Sequence, residues 1–174
     1  MAIRVAVDAM GGDHAPAAIV RGAVAALADD PELHLVLVGD EGGVRREVDA
    51  AKPGPHASRI RIVHASQVVG MDEQPVEALK SKRDSSLVKM AALAAEGQAD
   101  AVLSAGNTGA FAAAAQFLMK PLPCVSRPGI AVTIPSFYGP FVLCDVGANI
   151  QAKPRHLYEY AIMATLYAKR VLGI

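Results

Sequence analysis

The sequence has no tryptophan, only two cysteines, and aromatic residues make up just 5% of the chain. Cys124 and Cys144 are too few and too far apart for a C-x-x-C metal or redox motif. A small secreted domain would usually carry more cysteines, arranged as a disulfide framework. We therefore expect a reduced, intracellular setting for this protein.

The sequence also lacks an excess of charge and any long apolar run. Lys and Arg number 17, as do Asp and Glu, so the formal net charge is zero. This balance excludes a broad electrostatic field for nucleic acid or for an acidic membrane surface, and any anion site must be local. No uncharged run reaches the roughly 20 residues of a membrane helix. The first 13 residues become acidic and rich in glycine before any long apolar core forms, so we expect no signal peptide.

Several common catalytic and cofactor motifs are absent as well. The sequence contains neither G-x-G-x-x-G nor G-x-x-x-x-G-K-[ST], and it has no H-E-x-x-H or G-x-S-x-G. These absences argue against the usual nucleotide sites and against a serine hydrolase, and we expect neither cofactor nor metal. Asp8, Asp13 and Asp145 could still meet around a metal ion in space.

What the chain does have is an alternation of apolar strands with helical segments over 174 residues, 52% of them hydrophobic. The predicted strands are Ile3–Asp8, Leu33–Val38, Ile60–His64, Ala101–Ser104, Ile130–Ile134 and Phe141–Asp145. The predicted helices are Pro16–Asp29, Glu41–Ala51, Ser85–Glu96, Asn107–Met119 and Pro154–Leu172, with a loop at Lys52–Ser58 and a short helix after Pro75. Buried strands alternating with helices predict an α/β fold, a mostly parallel sheet covered by helices on both faces, in one domain over residues 1–174.

In such sheets ligands collect beyond the carboxyl ends of the strands, so the loops that follow strands are informative. The stretch LSAGNTGAFAAAAQF places Gly106, Asn107, Thr108 and Gly109 between a strand and a helix. The free amides of a helix start and a close glycine backbone suit phosphate or an oxyanion. An ordinary tight turn with a capped helix is the alternative.

The stretch VDAMGGDHAP ends a buried strand at Asp8, and a carboxylate there needs partners. Asp13 has the simpler interpretation of a helix cap. The segment MDEQPVEALKSKRDSS combines Lys82 with Ser85 and Ser86 before a helix, with Asp84 as a candidate N-cap. These groups suit an anion, and a solvated run of charge is the alternative.

The stretch CDVGANIQAKP follows the last strand and offers Asp145, Asn149 and Lys153. An acid and a lysine at this position predict either a binding site or a structural salt bridge. Arg127, just ahead of a strand in SRPGIAV, is either a phosphate ligand or a charge at the rim.

Taken together, DAMGGDHAP, MDEQP with KRDSS, SAGNTGA, RPGIAV and DVGANIQAKP occur in the order seen in one family. The sequence resembles the bacterial phosphate acyltransferases of phospholipid synthesis, the PlsX family. The resemblance implies a fold related to isocitrate and isopropylmalate dehydrogenases and to phosphotransacetylase. It also implies transfer of an acyl group from acyl carrier protein to inorganic phosphate, giving acyl phosphate. Such enzymes are cytoplasmic homodimers, often loosely associated with the membrane, and nucleic acid is not a partner.

The resemblance covers only the N-terminal half of such an enzyme, so we expect a truncated chain. An incomplete or non-catalytic fragment of that enzyme therefore stays open as an alternative, as does, less favoured, a nucleotide-dependent dehydrogenase with the same strand–helix alternation. A dehydrogenase should, however, carry the Rossmann glycine motif that is missing here.

Roles for individual residues follow from the chemistry that the resemblance implies. Phosphate must attack a thioester carbonyl, which requires a held phosphate, a stabilised oxyanion and a proton for the leaving thiol. The residues predicted to act in catalysis are Asp8, Asn107, Asn149 and Lys153. The residues predicted to bind phosphate or substrate are Lys82, Ser85, Ser86, Gly106, Thr108, Gly109 and Asp145. We expect Asp8 and Asp145 to fix lysines and loop amides around the anion, or to accept a proton from hydrogen phosphate.

Overall fold

A computed structural model describes residues 2–174 and divides the chain into two compact units. The first unit ends at Lys120, and the second is formed by Pro121–Ile174. Each unit contains its own sheet. A single domain over residues 1–174 stays a prediction.

The first unit is built on a four-stranded parallel sheet. Its strands are β1 (Ile3–Asp8), β2 (Leu33–Gly39), β3 (Ile60–His64) and β4 (Ala101–Leu103). Their order across the sheet is β3-β2-β1-β4, so β1 lies between β2 and β4. Asp8 pairs with Val38, and Val7 pairs with Leu103, which brings the carboxyl ends of these strands to one edge.

Helices cover both faces of this sheet, which confirms the predicted α/β architecture. They are α1 (Ala17–Asp29), α2 (Glu41–Ala51), α3 (Pro75–Ser81), α4 (Ser86–Ala95) and α5 (Thr108–Ala114). A π-helical turn at Ala115–Met119 continues α5, and a 3-10 helix at Gly54–Arg59 replaces most of the predicted loop. Pro53 precedes this 3-10 helix with a φ of −62°, which suits a helical start.

The alternation of side chains along the strands decides which helix covers which face. Val7 and Leu37 face α1 and α2 and pack with buried residues such as Leu27. Ala6 and Val38 face the opposite side, where α4 packs with a separate cluster. A third cluster joins α3 and α5 to the outer side of α4. By the same alternation Asp8 lies on the face of Ala6, which is the side covered by α4.

The second unit differs from the parallel pattern. Its strands β5 (Ala131–Ile134) and β6 (Phe141–Cys144) form an antiparallel pair, followed by α6 (Pro154–Tyr167) and a π-helical turn at Ala168–Leu172. The connection over residues 135–140 is too short for a parallel crossover, which needs a dozen residues or more. A hairpin is therefore the arrangement that this spacing allows. None of the helices described over residues 2–174 is long and apolar enough to cross a membrane.

Candidate functional site

The buried carboxylate of Asp8 organises the carboxyl edge of the parallel sheet. Asp8 is 2% exposed, and its Oδ2 accepts a hydrogen bond from Ser104 Oγ at 2.8 Å. Ser104 Oγ in turn accepts from the Gly106 amide at 3.0 Å, while Asp8 Oδ1 accepts from the Met10 amide at 3.1 Å. The carboxylate thus satisfies its need for partners by fixing two loops, one after β1 and one after β4.

These two loops meet backbone to backbone through a pair of glycines. A Cβ added to Gly11 would lie 2.6 Å from Asp8 Oδ2 and 2.8 Å from the Gly106 amide nitrogen. A Cβ added to Gly106 would lie 3.2 Å from Gly11 Cα. Real Cβ atoms essentially never lie within 3.0 Å of another such atom, so Gly11 is needed for the loops to touch. The glycines predicted to let the backbone approach a ligand therefore also let two loops approach each other.

Asn107 ties a third loop to this edge. Its Oδ1 accepts a hydrogen bond from the Ala110 amide at 3.0 Å and so caps α5, as the alternative interpretation of this turn requires. Its Nδ2 donates to the carbonyls of Gly70, Met71 and Glu73 at 3.0–3.2 Å. With a side chain 7% exposed and both of its polar ends engaged, Asn107 positions the loop over residues 70–73 beside the start of α5.

The remaining residues of the predicted anion site have a more open setting. Thr108 and Gly109 are exposed, and their place in the first turn of α5 leaves their amides without an intrahelical carbonyl. A Cβ on Gly109 would lie 2.7 Å from Pro75 Cγ, so this glycine permits the close packing of α3 on α5. We call residues 106–109 the anion loop, after the role predicted for them from the sequence.

Lys82 is paired with an acid that the sequence patterns did not single out. Its ammonium donates to Glu73 Oε1 and, at 2.8 Å, to the Val68 carbonyl. The hydrogen bond from Lys82, together with one from the Gly70 amide, holds the pKa of the Glu73 carboxyl below its usual value. Asp8 was expected to fix lysines and loop amides. The lysine Lys82 is held by Glu73 instead, and Asp8 accepts from the Met10 amide and the Ser104 hydroxyl.

The helix that follows Lys82 is capped one residue later than predicted. Ser85, fully buried, is the N-cap of α4, and its Oγ accepts from the Val88 amide at 3.4 Å. Asp84 does not cap the helix, because its carboxylate accepts two hydrogen bonds from Ser66 and pairs with Lys89 at 2.7 Å. The hydrogen bond from Lys89, with those from Ser66, holds the pKa of Asp84 far below its usual value. Ser86 is buried in the first turn of the same helix.

In the second unit, Asp145 organises the loop after β6. Its carboxylate accepts from the amides of Ile130, Ala148 and Asn149 at 2.8–3.2 Å, and from Asn149 Nδ2 at 3.2 Å. Burial raises the pKa of Asp145, but these hydrogen bonds outweigh burial and the pKa lies below its usual value. Asn149 Nδ2 also donates to the Pro128 carbonyl at 2.8 Å. Asp145 was expected to fix lysines and loop amides. The structure shows the loop amides and the side chain of Asn149 as its partners.

Lys153 stands at the N-cap of α6 with an exposed side chain. Its backbone amide donates to His156 Nδ1 at 3.2 Å. Nearby on α6, Glu159 accepts from the Ser126 hydroxyl at 2.6 Å and from Arg155 at 2.7 Å. The sequence patterns did not single out Glu159, Glu73 or Ser104. Each of these side chains binds a partner that lies far along the chain or that no local motif marks. Among residues 2–174 no group of three or more histidines, cysteines and acids could hold a metal ion.

Comparison with known proteins identifies the class to which this arrangement belongs. Residues 3–174 match the family model described as fatty acid synthesis protein, so the chain belongs to that family. The names of the curated relatives that it resembles are more specific than the description of the family. A phosphate acyltransferase of Desulforamulus reducens is 47% identical over 99% of this chain and 50% of its own length. The phosphate acyltransferases of Moorella thermoacetica and Bacillus subtilis are 48% and 42% identical, each over 99% of this chain and 50% of its own length.

These matches confirm the resemblance predicted from the motifs. The chain spans about half the length of the curated relatives it matches. The names of these relatives favour an acyltransferase over the nucleotide-dependent dehydrogenase that the alternation of strands and helices had left open.

Proposed function

We propose that this chain forms part of a phosphate acyltransferase that moves an acyl group from acyl carrier protein to inorganic phosphate. The product, acyl phosphate, would supply phospholipid synthesis. Family membership and the shared name of the relatives support this proposal. The observation that carries it is the convergence of three loops, through Asp8, Ser104 and Asn107, at the carboxyl edge of a parallel sheet. Ligands of α/β proteins bind at this edge.

The proposed reaction needs no covalent enzyme intermediate. An oxygen of hydrogen phosphate attacks the thioester carbon, the new carbon–oxygen bond forms, and the carbon–sulfur bond breaks. The proton of hydrogen phosphate passes to the departing thiolate, so the products are acyl phosphate and the free thiol of acyl carrier protein. The protein has to hold the phosphate and stabilise the oxyanion of the tetrahedral intermediate.

Within the first unit we assign phosphate binding to the anion loop. Thr108 supplies an exposed hydroxyl, and the amides of the first turn of α5 supply donors. Asp8 and Asn107 set the position of this loop, Asp8 through Ser104 and Asn107 through its cap on Ala110. Ser85 and Ser86 are buried at the start of α4, and the Ser85 amide donates to the Lys82 carbonyl at 3.1 Å.

Within the second unit we assign phosphate or carbonyl contact to Lys153, whose ammonium is exposed. Asp145 and Asn149 shape the loop that leads to it, since their side chains bind each other and the neighbouring amides. The resemblance further supports acyl carrier protein as the acyl donor, a homodimer, and a cytoplasmic location with loose association with the membrane. These finer properties belong to the proposal.

Formation of acyl phosphate by the purified chain tests the proposal. Palmitoyl-acyl carrier protein is mixed with inorganic phosphate, and the product is trapped as a hydroxamate with hydroxylamine. We expect hydroxamate that depends on phosphate. Asp8→Asn should lower its rate by on the order of 10²-fold, because the loop that aligns the phosphate loses its anchor. Asp13→Asn is the matched control, since Asp13 is an exposed acid of the same loop.

The alternative function, an incomplete fragment of the same enzyme, predicts a different result. A chain that is folded by circular dichroism but makes no hydroxamate would favour the fragment. Equal rates for Asp8→Asn and the unaltered chain would contradict the role given to Asp8.

A further inference from the structure

An apolar cavity of 590 Å³ lies on the outer side of the first unit, between α3, α4 and the π-helical turn after α5. Its lining residues are Val76, Leu79, Lys80, Arg83, Val88, Phe117 and Leu118. The volume falls within the range of about 300–1,000 Å³ typical of small-molecule sites. None of these residues belongs to the loops assigned to phosphate, so the function proposed above leaves the cavity without a role.

One wall of this cavity packs against the protein interior, and the opposite wall is exposed to solvent. Leu79 and Leu118 are held against the buried cluster that joins α3, α4 and α5. Val76 and Phe117 stand at the front, with 43% and 61% of their surfaces exposed. Large exposed apolar side chains that face each other across a cavity are more informative than single exposed ones, because together they form a surface that water solvates poorly.

The charged residues at the rim are both basic. Lys80 and Arg83 are exposed, and over residues 2–174 neither side chain forms an ion pair. Among the acids of residues 71–86, Glu73 binds Lys82 and Asp84 binds Lys89, whereas Asp72 and Glu77 are exposed and do not line the cavity. The charged side chains that line the cavity are thus both positive and stand beside apolar walls, which complements a ligand with an apolar chain and an anionic head.

We propose that this cavity binds the hydrocarbon chain of a single-chain acyl phosphate, with the phosphate head between Lys80 and Arg83. This inference rests on the proposed function, because acyl phosphate is the product of that reaction. It adds a binding site for the chain of that product, and none of the residues that line this site has a role in the proposed chemistry.

The absence of tryptophan from the sequence allows a selective test. Phe117→Trp places one reporter at the mouth of the cavity, and Phe137→Trp places a matched reporter at a residue that is 95% exposed in the second unit. The probe is dodecyl phosphate, a stable single-chain phosphate ester, used below its micelle-forming concentration. We expect a saturable blue shift of fluorescence in Phe117→Trp and no shift in Phe137→Trp.

Variants of the wall and rim complete the experiment. In the Phe117→Trp background, Val76→Asp should abolish the shift, and this substitution at an exposed position should leave the circular dichroism unchanged. Lys80→Gln combined with Arg83→Gln should weaken binding of dodecyl phosphate about five- to tenfold, the effect expected for two rim charges. Dodecyltrimethylammonium, which has the same chain and the opposite charge, should bind more weakly than dodecyl phosphate.

Several results would overturn the inference. One is the lack of any shift in Phe117→Trp, and another is an equal shift in Phe137→Trp. A shift that appears only with phosphatidylglycerol vesicles would identify a membrane-contact surface instead. A shift that follows protein concentration without any ligand would identify a contact between two copies of the chain. The fluorescence experiment measures binding, so its result does not depend on hydroxamate formation. Either proposal can be contradicted while the other is supported, and the two are therefore distinguishable.

Discussion

Ser104 donates a hydrogen bond of 2.8 Å to the carboxylate of Asp8 across 96 positions of sequence. Ser104→Ala removes this donor and leaves a buried carboxylate with one partner fewer. We expect the free energy of unfolding to fall by about 1.5–3 kcal/mol, as is typical for hydrogen bonds to charged groups. Urea denaturation measures the change, and Ser58→Ala at an exposed serine is the control. Equal midpoints for the two variants would show that the hydrogen bond does not hold the loops together.

Gly11 and Gly22 provide a matched pair for substitution by alanine. The new Cβ at Gly11 would lie 2.6 Å from Asp8 Oδ2, whereas nothing lies within 4 Å of the new Cβ at Gly22 in α1. We expect Gly11→Ala to lower both stability and acyl-phosphate formation. Gly22→Ala should raise stability by roughly 0.5–1 kcal/mol, because alanine favours a helix over glycine. Thermal melting followed by circular dichroism compares them, and a stabilised Gly11→Ala would contradict the close contact.

Asn107 can be divided into its two functions by two substitutions. Asn107→Ala removes both the helix cap and the donor to the loop over residues 70–73. We expect the free energy of unfolding to fall by about 2–3 kcal/mol. Asn107→Asp keeps the cap but places a carboxylate beside the carbonyls of Gly70, Met71 and Glu73.

Limited proteolysis distinguishes these two effects. Asn107→Asp should make the 70–73 loop sensitive to cleavage while the helix remains capped. Protection of that loop in Asn107→Asp would mean that the amide does not hold it.

The Arg4–Asp100 pair predicts a change in stability under acid conditions. The side-chain hydrogen bond from Arg4 lowers the pKa of Asp100 from 3.8 to about 2. Because the folded pKa is depressed, the pair stabilises the fold above pH 3.8, and this contribution is lost as the pH falls towards 2. Asp100→Asn should therefore be less stable than the unaltered chain at pH 5, and the gap should close between pH 3.8 and 2. Asp13→Asn, at an exposed aspartate, should follow the unaltered chain throughout.

Tyr160 carries a buried hydroxyl that forms no hydrogen bond with any group of residues 2–174. Its side chain is 1% exposed. An unsatisfied buried hydroxyl is costly, so Tyr160→Phe should leave the chain as stable as before or more stable by about 1 kcal/mol. Urea denaturation measures this difference. A clear loss of stability would show that the hydroxyl has a partner, such as a bound water molecule.

Much of the first unit could be predicted because hydrophobic patterns are local. The ends of β1, α2 and β3 were predicted to the residue, since each is a periodic or apolar run that its local sequence marks. The antiparallel pairing of β5 and β6 was missed, although the short connection between them held the necessary signal. The cap of α4 was placed one residue early because Asp84 and Ser85 are both good caps, and only the contact with Ser66 decides between them.

The sequence singled out candidate residues for the site but not the contacts that these residues make. Asp8, Asn107 and Asp145 stood out because a polar residue at the end of a buried strand or at the start of a helix needs partners. Their actual partners, among them Ser104 and the 70–73 loop, come from other elements, and no local spacing encodes that proximity. Glu73 was missed for the same reason, since only the folded loop brings it to Lys82.

The pairing of β1 with β4 is secured at both ends, by Arg4 with Asp100 and by Asp8 with Ser104, and each pair spans 96 positions. By contrast, Ile3 of β1 pairs with Leu33 of β2 after a much shorter connection. Closing a longer loop costs more entropy, and distant contacts slow folding. During synthesis β1 and β2 can pair early, whereas β4 must wait until more than a hundred residues have left the ribosome. The loops around Asp8 are therefore assembled late, and an intermediate with a formed β1–β2 core has no anion loop yet.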